Sequence, residues 1–514
     1  MGVMKKRDWV LSLFSGILLA LSFPNLDLEF LAWFAFVPLL FALEGKTPLQ
    51  GFSLGFVTGF VSFLGTLYWI IVAVHTYGGI PLIPSGIILL LLIGYLSLYF
   101  GIFGQIYRFI EGRVGCHTLL FLPFLWVAIE YLRSFFLTGF PWDMLGHTQY
   151  LNLPFIQMAD ITGVYGLSFA VFWVNVTIYL ILHQGARRVF PYREALAAAM
   201  IVVGFLVYGH ARMAGITEQT SGRPSLKVGL AQGNIDQSMK WDESFQKQTL
   251  KIYEDLSLRL GEEKPDLIIW PETATPFFFQ DAREYQPWVL NIPRKTGAFL
   301  LFGTPTYKIE NRKVRHYNSA FLVSPGGEIV GKYDKIHLVP FGEYVPLARL
   351  LFFVESLGEG IGNFRSGAEI YNFSLPRGKF GVVICFEIIF PDLCRRFVKK
   401  GANFLVTITN DAWFGRTSAP YQHFTQAVFR AVENRVFVAR AANTGISGFI
   451  DPRGKILKHG GIFKEEAING TLRLMSERTF YTEYGDLFAW ICSAVSILLV
   501  GYAVLRRNKA HIDG

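Results

Sequence analysis

Charge is scarce in this chain. Only 17% of its 514 residues are Asp, Glu, Lys or Arg, against 52% apolar and 16% aromatic residues, and mean hydropathy is +0.36. That balance excludes a single ordinary soluble domain. Cysteine is scarcer still: the four residues Cys116, Cys385, Cys394 and Cys492 are too few and too scattered for a disulfide framework. Neither Cys385 nor Cys394 has a nearby histidine or second cysteine pair to complete a zinc site, so no metal is expected. The net charge of +9 raises nucleic acid as a partner, but the central region has no basic cluster interleaved with aromatics. Internal repeats and low-complexity tracts are absent as well.

What is abundant is apolar sequence in long windows. Spanning helices are expected near 9–23, 29–43, 51–75, 82–109, 117–138, 163–183, 195–211 and 486–505. The loops between them alternate in charge. Lys5, Lys6 and Arg7 precede the first helix, and Lys46 follows the second. Arg108 and Arg113 follow the fourth, Arg187, Arg188 and Arg193 the sixth, and Arg506, Arg507 and Lys509 the eighth. The intervening loops "PNLDLE", "TYGGIPLIP" and "GFPWDMLGHTQYLNLPFIQMADITG" contain no Lys or Arg. By the positive-inside rule both termini are expected in the cytoplasm and the central region outside. The opening "MKKRDWVLSLFSGILLALSF" has signal-peptide texture but no clear small-x-small cleavage site, so it is expected to remain as the first helix. The expected division is a seven-helix transmembrane domain over 1–214, an exported domain over 215–480, and a C-terminal helix with its tail over 481–514.

The central region reads as α/β. Strand-like runs occur at 226–235, 265–272, 299–307, 318–325, 379–387, 403–411 and 436–443, and helical patterns at 243–262 and 419–435. Strands alternating with helices predict a layered domain with a mixed sheet. Three strand ends carry chemistry. "DLIIWPET" reaches Glu272, "GKYDKIHLVPFGEY" places Lys335 past a short extended run, and "GVVICFE" ends on Cys385. A thiol can act as nucleophile once deprotonated, a carboxylate can take and return the proton, and an ammonium can depress the thiol pKa and stabilise an oxyanion. Each residue also has an ordinary reading: a core cysteine, a helix-capping glutamate, a solvated lysine. A Cys–His dyad using His337 or His423 is a rival that spacing leaves open.

The set "WPET" (270–273), "KYDKIHLVPFGEYVP" (332–346), "ICFE" (384–387) and "NDAWFG" (410–415) resembles the nitrilase superfamily. With a multi-helix membrane domain ahead of it, the whole chain resembles one branch, the apolipoprotein N-acyltransferase family. "LAQGNIDQSMKWD" (230–242), "TGFPWDMLGHTQY" (138–150) and "YTEYGD" (481–486) fit that branch too. The resemblance implies an α-β-β-α sandwich with Glu272 as general base, Lys335 as oxyanion stabiliser and Cys385 as nucleophile. It implies supporting or substrate-binding roles for Trp241, Glu343, Phe386 and Glu387, and no cofactor. Phe386 stands where the family often has tyrosine, which puts in question any role needing that hydroxyl.

The implied reaction takes an acyl chain from a membrane phospholipid to the amino terminus of a diacylglyceryl-cysteine lipoprotein by ping-pong thioester chemistry, at the bacterial inner membrane. Two other readings stand beside it: a membrane-anchored nitrilase-type amidase, and a transporter or receptor whose outer domain binds ligand. Two further expectations concern local features. Glu130 and Arg133, three apart on one helical face, are expected to pair between helices, and the apolar, glycine-flanked segment 347–364 to form a mobile lid.

Overall fold

The computed structural model describes residues 4–185, 190–310, 312–344 and 364–512, so all of the lid segment except Phe364 lies outside the described residues. The chain divides into two compact units. One comprises Met1–Tyr68, Gly86–Met213 and Tyr484–Gly514, the other Trp69–Ser85 and Ala214–Glu483.

Wholly or mostly in the first unit, the helices Pro48–Leu67, Leu82–Val114, Thr118–Thr138, Val164–Gln184, Tyr192–Ser221 and Leu487–Arg506 are long and apolar enough to cross a membrane. The first two expected spans are shorter: Lys6–Leu21 has 16 residues, and Glu29–Leu43 is a 3-10 turn running into an α-helix. Helix pairing here relies on small residues. A Cβ placed on Gly104 would lie 2.2 Å from the carbonyl of Gly51, and one on Gly55 would lie 2.2 Å from that of Phe100. Backbones that close leave room for hydrogen only, a packing mode that substitutes for the hydrophobic drive lipid cannot supply. Glu130 and Arg133 do not spend their bonds on each other. Glu130 accepts from the Leu145 amide at 2.7 Å, and Arg133 donates to the carbonyls of Trp142 at 2.9 Å and Asp143 at 3.2 Å. The non-helical backbone at 142–144 and the first amide of the 3-10 helix Leu145–Gln149 need internal partners, and these two side chains provide them.

The helix expected over 51–75 stops at Leu67, and a π-helical turn follows at Val72–Tyr77, ended by a Gly78 amide that reaches back to the Ala73 carbonyl at 3.0 Å. This stretch belongs to the second unit. There Trp69 packs edge-on against Phe414 at 4.8 Å and donates to Gln422 at 3.2 Å, and Tyr77 packs edge-on against Trp413 at 6.2 Å.

The second unit contains two six-stranded sheets. Strand β1 (Ser225–Gln232), β2 (Leu267–Ile269), β3 (Phe299–Glu310), β4 (Lys313–Val323), β5 (Ile329–Asp334) and β12 (Glu466–Arg473) form one, in the order β12-β1-β2-β3-β4-β5. The other contains β6 (Asn372–Leu375), β7 (Gly378–Ile384), β8 (Phe404–Thr409), β9 (Phe437–Ala442), β10 (Gly448–Ile450) and β11 (Ile456–His459), ordered β11-β10-β9-β8-β7-β6. Parallel pairs occupy the middle of each sheet, β1-β2-β3 and β7-β8-β9, and antiparallel strands flank them. The central strands are buried on both faces, and so read as continuous apolar runs rather than as alternation.

Helix Glu243–Gly261 covers the first sheet, burying Leu250, Tyr253, Leu256 and Leu260 with Ile268, Trp270, Leu300 and Phe302. Helices Pro391–Lys399 and Ala419–Asn434 pack on strands of the second. This is the nitrilase-like layered sandwich expected above. Strands β6, β10, β11 and β12 did not announce themselves in sequence, because they lie at or near the sheet edges and lack the long apolar run that marks the centre.

Candidate active site

The site assembles where strands end. Glu272 follows β2 by three residues, while Lys335, Cys385, Asn410 and Asn443 each stand immediately after β5, β7, β8 and β9. Carboxyl ends of parallel strands converge, and the loops they release put side chains in one place. The Glu272 turn passes so close to β3 that a Cβ on Gly303 would sit 2.7 Å from the Glu272 Cα. Only glycine fits there.

Glu272 is buried and held at both oxygens. Oε1 accepts from Asn318 Nδ2 at 2.7 Å and lies 3.6 Å from Lys335 Nζ, and Oε2 accepts from the Asn410 amide at 2.9 Å. Lys335 is 1% exposed, with Nζ 3.0 and 2.9 Å from the two Glu343 oxygens. Burial alone would lower the lysine; Glu343 and Glu272 outweigh it and keep the ammonium charged above the ordinary lysine range. Glu343 in turn accepts from Asn318 Nδ2 at 2.9 Å and from the Val339 amide at 2.7 Å. One asparagine therefore spaces two carboxylates around one ammonium.

Cys385 has φ of 52°, in the left-handed region, at the turn from β7 into the 3-10 segment Cys385–Ile389. A non-glycine residue held there stores roughly 1–3 kcal/mol of strain, which the surroundings must enforce. Glu387 is one enforcer. Its carboxylate accepts from the Ile384 amide at 2.7 Å, the Ile336 amide at 2.7 Å, the His337 amide at 3.1 Å and the Tyr333 hydroxyl at 2.8 Å. It thereby ties the cysteine turn to the lysine loop.

His423 is the other enforcer. Its Nε2–H donates to the Cys385 carbonyl at 3.2 Å, and Nδ1 lies 2.9 Å from Asp411 and 3.0 Å from Arg440. Asp411 also receives Arg440 Nη2 at 2.7 Å and the Thr409 hydroxyl at 2.8 Å. His423 thus grips the backbone of the cysteine rather than its sulfur. His337 stacks on Phe390 at 3.6 Å. His423, with both ring nitrogens so engaged, is not placed as the thiol's base.

The thiol keeps partial access to the surface, yet burial pushes its pKa up, the Glu272 carboxylate adds to this, and Lys335 opposes without prevailing. The depression of the thiol pKa expected from the lysine is outweighed here. The resting group is a thiol, so its proton must leave as the sulfur attacks, which gives a neighbouring base its work.

Of the other expected residues, Phe386 is buried edge-on against Phe390 at 5.2 Å, and Trp241 is 52% exposed. Sequence reasoning missed Asn318, Asp411, Arg440 and Lys240. Lys240 was hidden in the "KWD" run, where the tryptophan drew attention; its side chain is 1% exposed and donates to the Glu272 carbonyl at 3.3 Å. Asn318 and Arg440 lie inside strands and carry no local signal. Among the described residues no cluster of three His, Cys, Asp or Glu side chains has metal-site geometry.

A cysteine at a strand end beside buried Glu and Lys, on paired mixed sheets, defines a carbon–nitrogen hydrolase-type domain, and residues 227–480 match the carbon–nitrogen hydrolase family model. Residues 15–177 match the apolipoprotein N-acyltransferase N-terminal domain. The apolipoprotein N-acyltransferase of Geobacter metallireducens is 46% identical over 510 residues, covering 98% of this chain and 97% of its own. That of Pasteurella multocida is 32% identical over 519 residues, covering 98% of each. Among solved structures, a branch 10 member of the nitrilase superfamily from Saccharomyces cerevisiae is 23% identical, spanning 48% of this chain and 90% of its own with a TM-score of 0.38. An amidase from Nesterenkonia sp. is 19% identical, spanning 50% and 92% with a TM-score of 0.38. The chain belongs to the apolipoprotein N-acyltransferase family, and is a membrane protein and an acyltransferase.

Proposed function

We propose that this enzyme transfers a fatty acyl chain from a membrane phospholipid to the free α-amino group of a diacylglyceryl-cysteine apolipoprotein, through a thioester on Cys385. The observation that carries the reading is the strained Cys385 turn, in one site with a buried Glu272 and a buried Lys335. Glu272 takes the thiol proton as sulfur bonds to the ester carbonyl carbon. The oxygen's developing charge is met by Lys335 and the backbone N–H after the cysteine. Collapse breaks the ester C–O bond, and the departing lysophospholipid oxygen takes the proton back from Glu272. The lipoprotein amine then attacks the thioester carbon, Glu272 removes a proton from nitrogen, and the C–S bond breaks with that proton returning to sulfur. Glu343 and Glu387 support by fixing Lys335 and the Cys385 turn, and Trp241 and Phe386 by contact with substrate. No step calls for a metal or cofactor.

Purified enzyme incubated with phospholipid carrying a labelled acyl chain should place that label on Cys385, and adding a diacylglyceryl lipopeptide amine should discharge it into amide. Steady release of free fatty acid at the same rate with or without the amine would favour a hydrolase that passes the acyl group to water, as the nitrilase-type reading requires. Absence of any label on Cys385 would end the thioester reading.

The Lys and Arg distribution supports placing the chain in the bacterial inner membrane, with the domain over 215–480 in the periplasm and both termini in the cytoplasm. Single cysteines introduced at 46 and at 111 should resist an impermeant thiol reagent in intact spheroplasts, and one at 455 should react. Labelling at 46 or 111 from outside would invert the topology.

A further inference from the structure

We infer that Asn318 is a positioning residue of the acyl-transfer site: its side-chain amide holds Glu272 in place as an ionised base, apart from the Lys335 ammonium and from the second carboxylate, Glu343. The inference rests on Cys385 acting as the nucleophile and Glu272 as its base. It begins from an inequality between the two glutamates. Lys335 Nζ lies 2.9–3.0 Å from the Glu343 oxygens but 3.6 Å from Glu272 Oε1. The shorter contact to that Glu272 oxygen is Asn318 Nδ2, at 2.7 Å. The same nitrogen lies 2.9 Å from Glu343 Oε1, so each of its two hydrogens serves one carboxylate. Glu343 thus takes most of the ammonium. Glu272 is held by neutral donors, Asn318 on Oε1 and the Asn410 amide on Oε2 at 2.9 Å. Such bonds favour the charged form without locking it into a contact ion pair, which is what a base needs.

The backbone makes the same residue a hub. Asn318 lies within β4, opposite Pro305 of β3, and its carbonyl accepts the Lys335 amide at 2.8 Å. One residue of a strand paired on both sides therefore fixes the main chain of the lysine and the side chains of both glutamates. Charge decides which way its amide faces, because turning it over would point Oδ1 at two carboxylates. That orientation has a cost. Asn318 is 7% exposed, and its buried Oδ1 has no hydrogen-bond partner among the described residues. A buried acceptor left unpaired is unfavourable. The residue gives up its acceptor to place both donors where the two charges meet.

Without that amide, two like charges would share Lys335 alone. Glu272 would then either turn onto the ammonium and lose its place, or take up a proton and become unable to accept the one on sulfur. The other groups around Glu272 cannot stand in. Lys335 and Lys240 bring charge, the latter through its bond to the Glu272 carbonyl at 3.3 Å. Glu343 repels, and Cys385 is the proton donor itself. Asn318 is the neutral donor on Oε1.

The test reads the base through the first chemical step. Full-length enzyme in lipid nanodiscs is mixed with p-nitrophenyl butyrate from about pH 5 to 9, the initial nitrophenolate burst is timed, and butyryl-Cys385 is verified by mass spectrometry. Sulfur bonds to the carbonyl carbon, its proton passes to Glu272, and the C–O bond breaks with its electron pair on nitrophenolate. The acid limb of the burst rate follows protonation of the base. Asn318→Leu, similar in volume and without a donor, should slow the burst at neutral pH about tenfold and move the midpoint of that limb up by about one pH unit. Asn318→Ala, which leaves room for a water to donate, should move it less, and Asn318→Asp, which adds a third carboxylate, should move it more. A residue that only packs would lower the yield of folded enzyme and leave the midpoint unmoved. A wild-type midpoint in any folded variant would overturn the proposal, as would an Asn318→Asp midpoint below that of Asn318→Leu. Should a variant fail to fold, those that fold carry the measurement; three unfolded variants would mark Asn318 as a core residue and overturn it too. Glu272→Gln is the control and should lose the inflection. Survival of the inflection there would remove Glu272 as the base, whereas its loss there with no movement in Asn318→Leu would sink the role of Asn318 alone. Neither phospholipid nor lipoprotein enters the assay, so an error in the donor assignment leaves the result standing.

Discussion

Replacing Cys385 with serine should abolish acyl transfer, lowering turnover by roughly 10³–10⁶-fold, as removal of a nucleophile does in other covalent enzymes. The geometry makes the loss severe. The site gives even the thiol a raised pKa, through burial and then through Glu272, so the proton is already hard to remove. A hydroxyl at the same point is far less acidic, and the same carboxylate cannot draw its proton away at neutral pH. The variant should still enter the membrane and melt near wild type, because Ser and Cys differ little in volume and the turn is held by Glu387 and His423 through backbone atoms. Activity is measured as lipopeptide acylation, and folding by thermal denaturation of the purified protein. A serine variant with near-normal turnover would sink the mechanism. Cys394→Ala is the control. That thiol is fully buried, 3.9 Å from the Glu387 carbonyl, and its loss should cost only about 1 kcal/mol of stability while leaving chemistry intact. A loss of activity matching that of Cys385→Ser would point to paired-thiol chemistry.

Asp411→Ala should destabilise the second unit by roughly 3–5 kcal/mol. Asp411 and Arg440 are each 0% exposed and meet at 2.7 Å, so removing the carboxylate strands a guanidinium in the core. Burial alone would raise the Asp411 carboxyl, but Arg440 and His423 outweigh it and hold the group well below the usual carboxylate range. Its folded pKa lies below its unfolded one. The stability it contributes is therefore fully present above the ordinary value of 3.8 and is lost as pH falls below it toward the depressed value. Thermal unfolding of the wild type should show that acid loss, and Asp411→Asn should show less of it. The same variants should lose activity before they lose fold, since His423 would no longer be aimed at the Cys385 carbonyl. Wild-type stability in Asp411→Ala would show that Arg440 finds another partner.

The membrane character of the chain could be read from the sequence because it depends on local composition, on apolar windows set by bilayer thickness. The central strands were legible for the same reason, since a strand buried on both faces is apolar along most of its length, with Arg440 in β9 tolerated through its ion pair with Asp411. Glu272, Lys335 and Cys385 stood out because they end such runs, where a polar side chain needs a purpose. What the tertiary structure alone decided lies across chain separations that no local pattern spans. Asn318, mid-strand in β4, bonds to Glu272 and Glu343 at once. His423 is 38 residues from Cys385 and binds its carbonyl, which turns a candidate base into a brace. Trp69–Ser85, read from sequence as the end of one span, a loop and the start of the next, groups with the second unit, where Trp69 and Tyr77 pack on Phe414 and Trp413. Lys240 drew no attention beside a more conspicuous tryptophan, and only the tertiary structure buries it against the Glu272 carbonyl. Composition determines what a segment can bury; which polar groups then meet inside, and so which of them do chemistry, depends on how the strands are brought together.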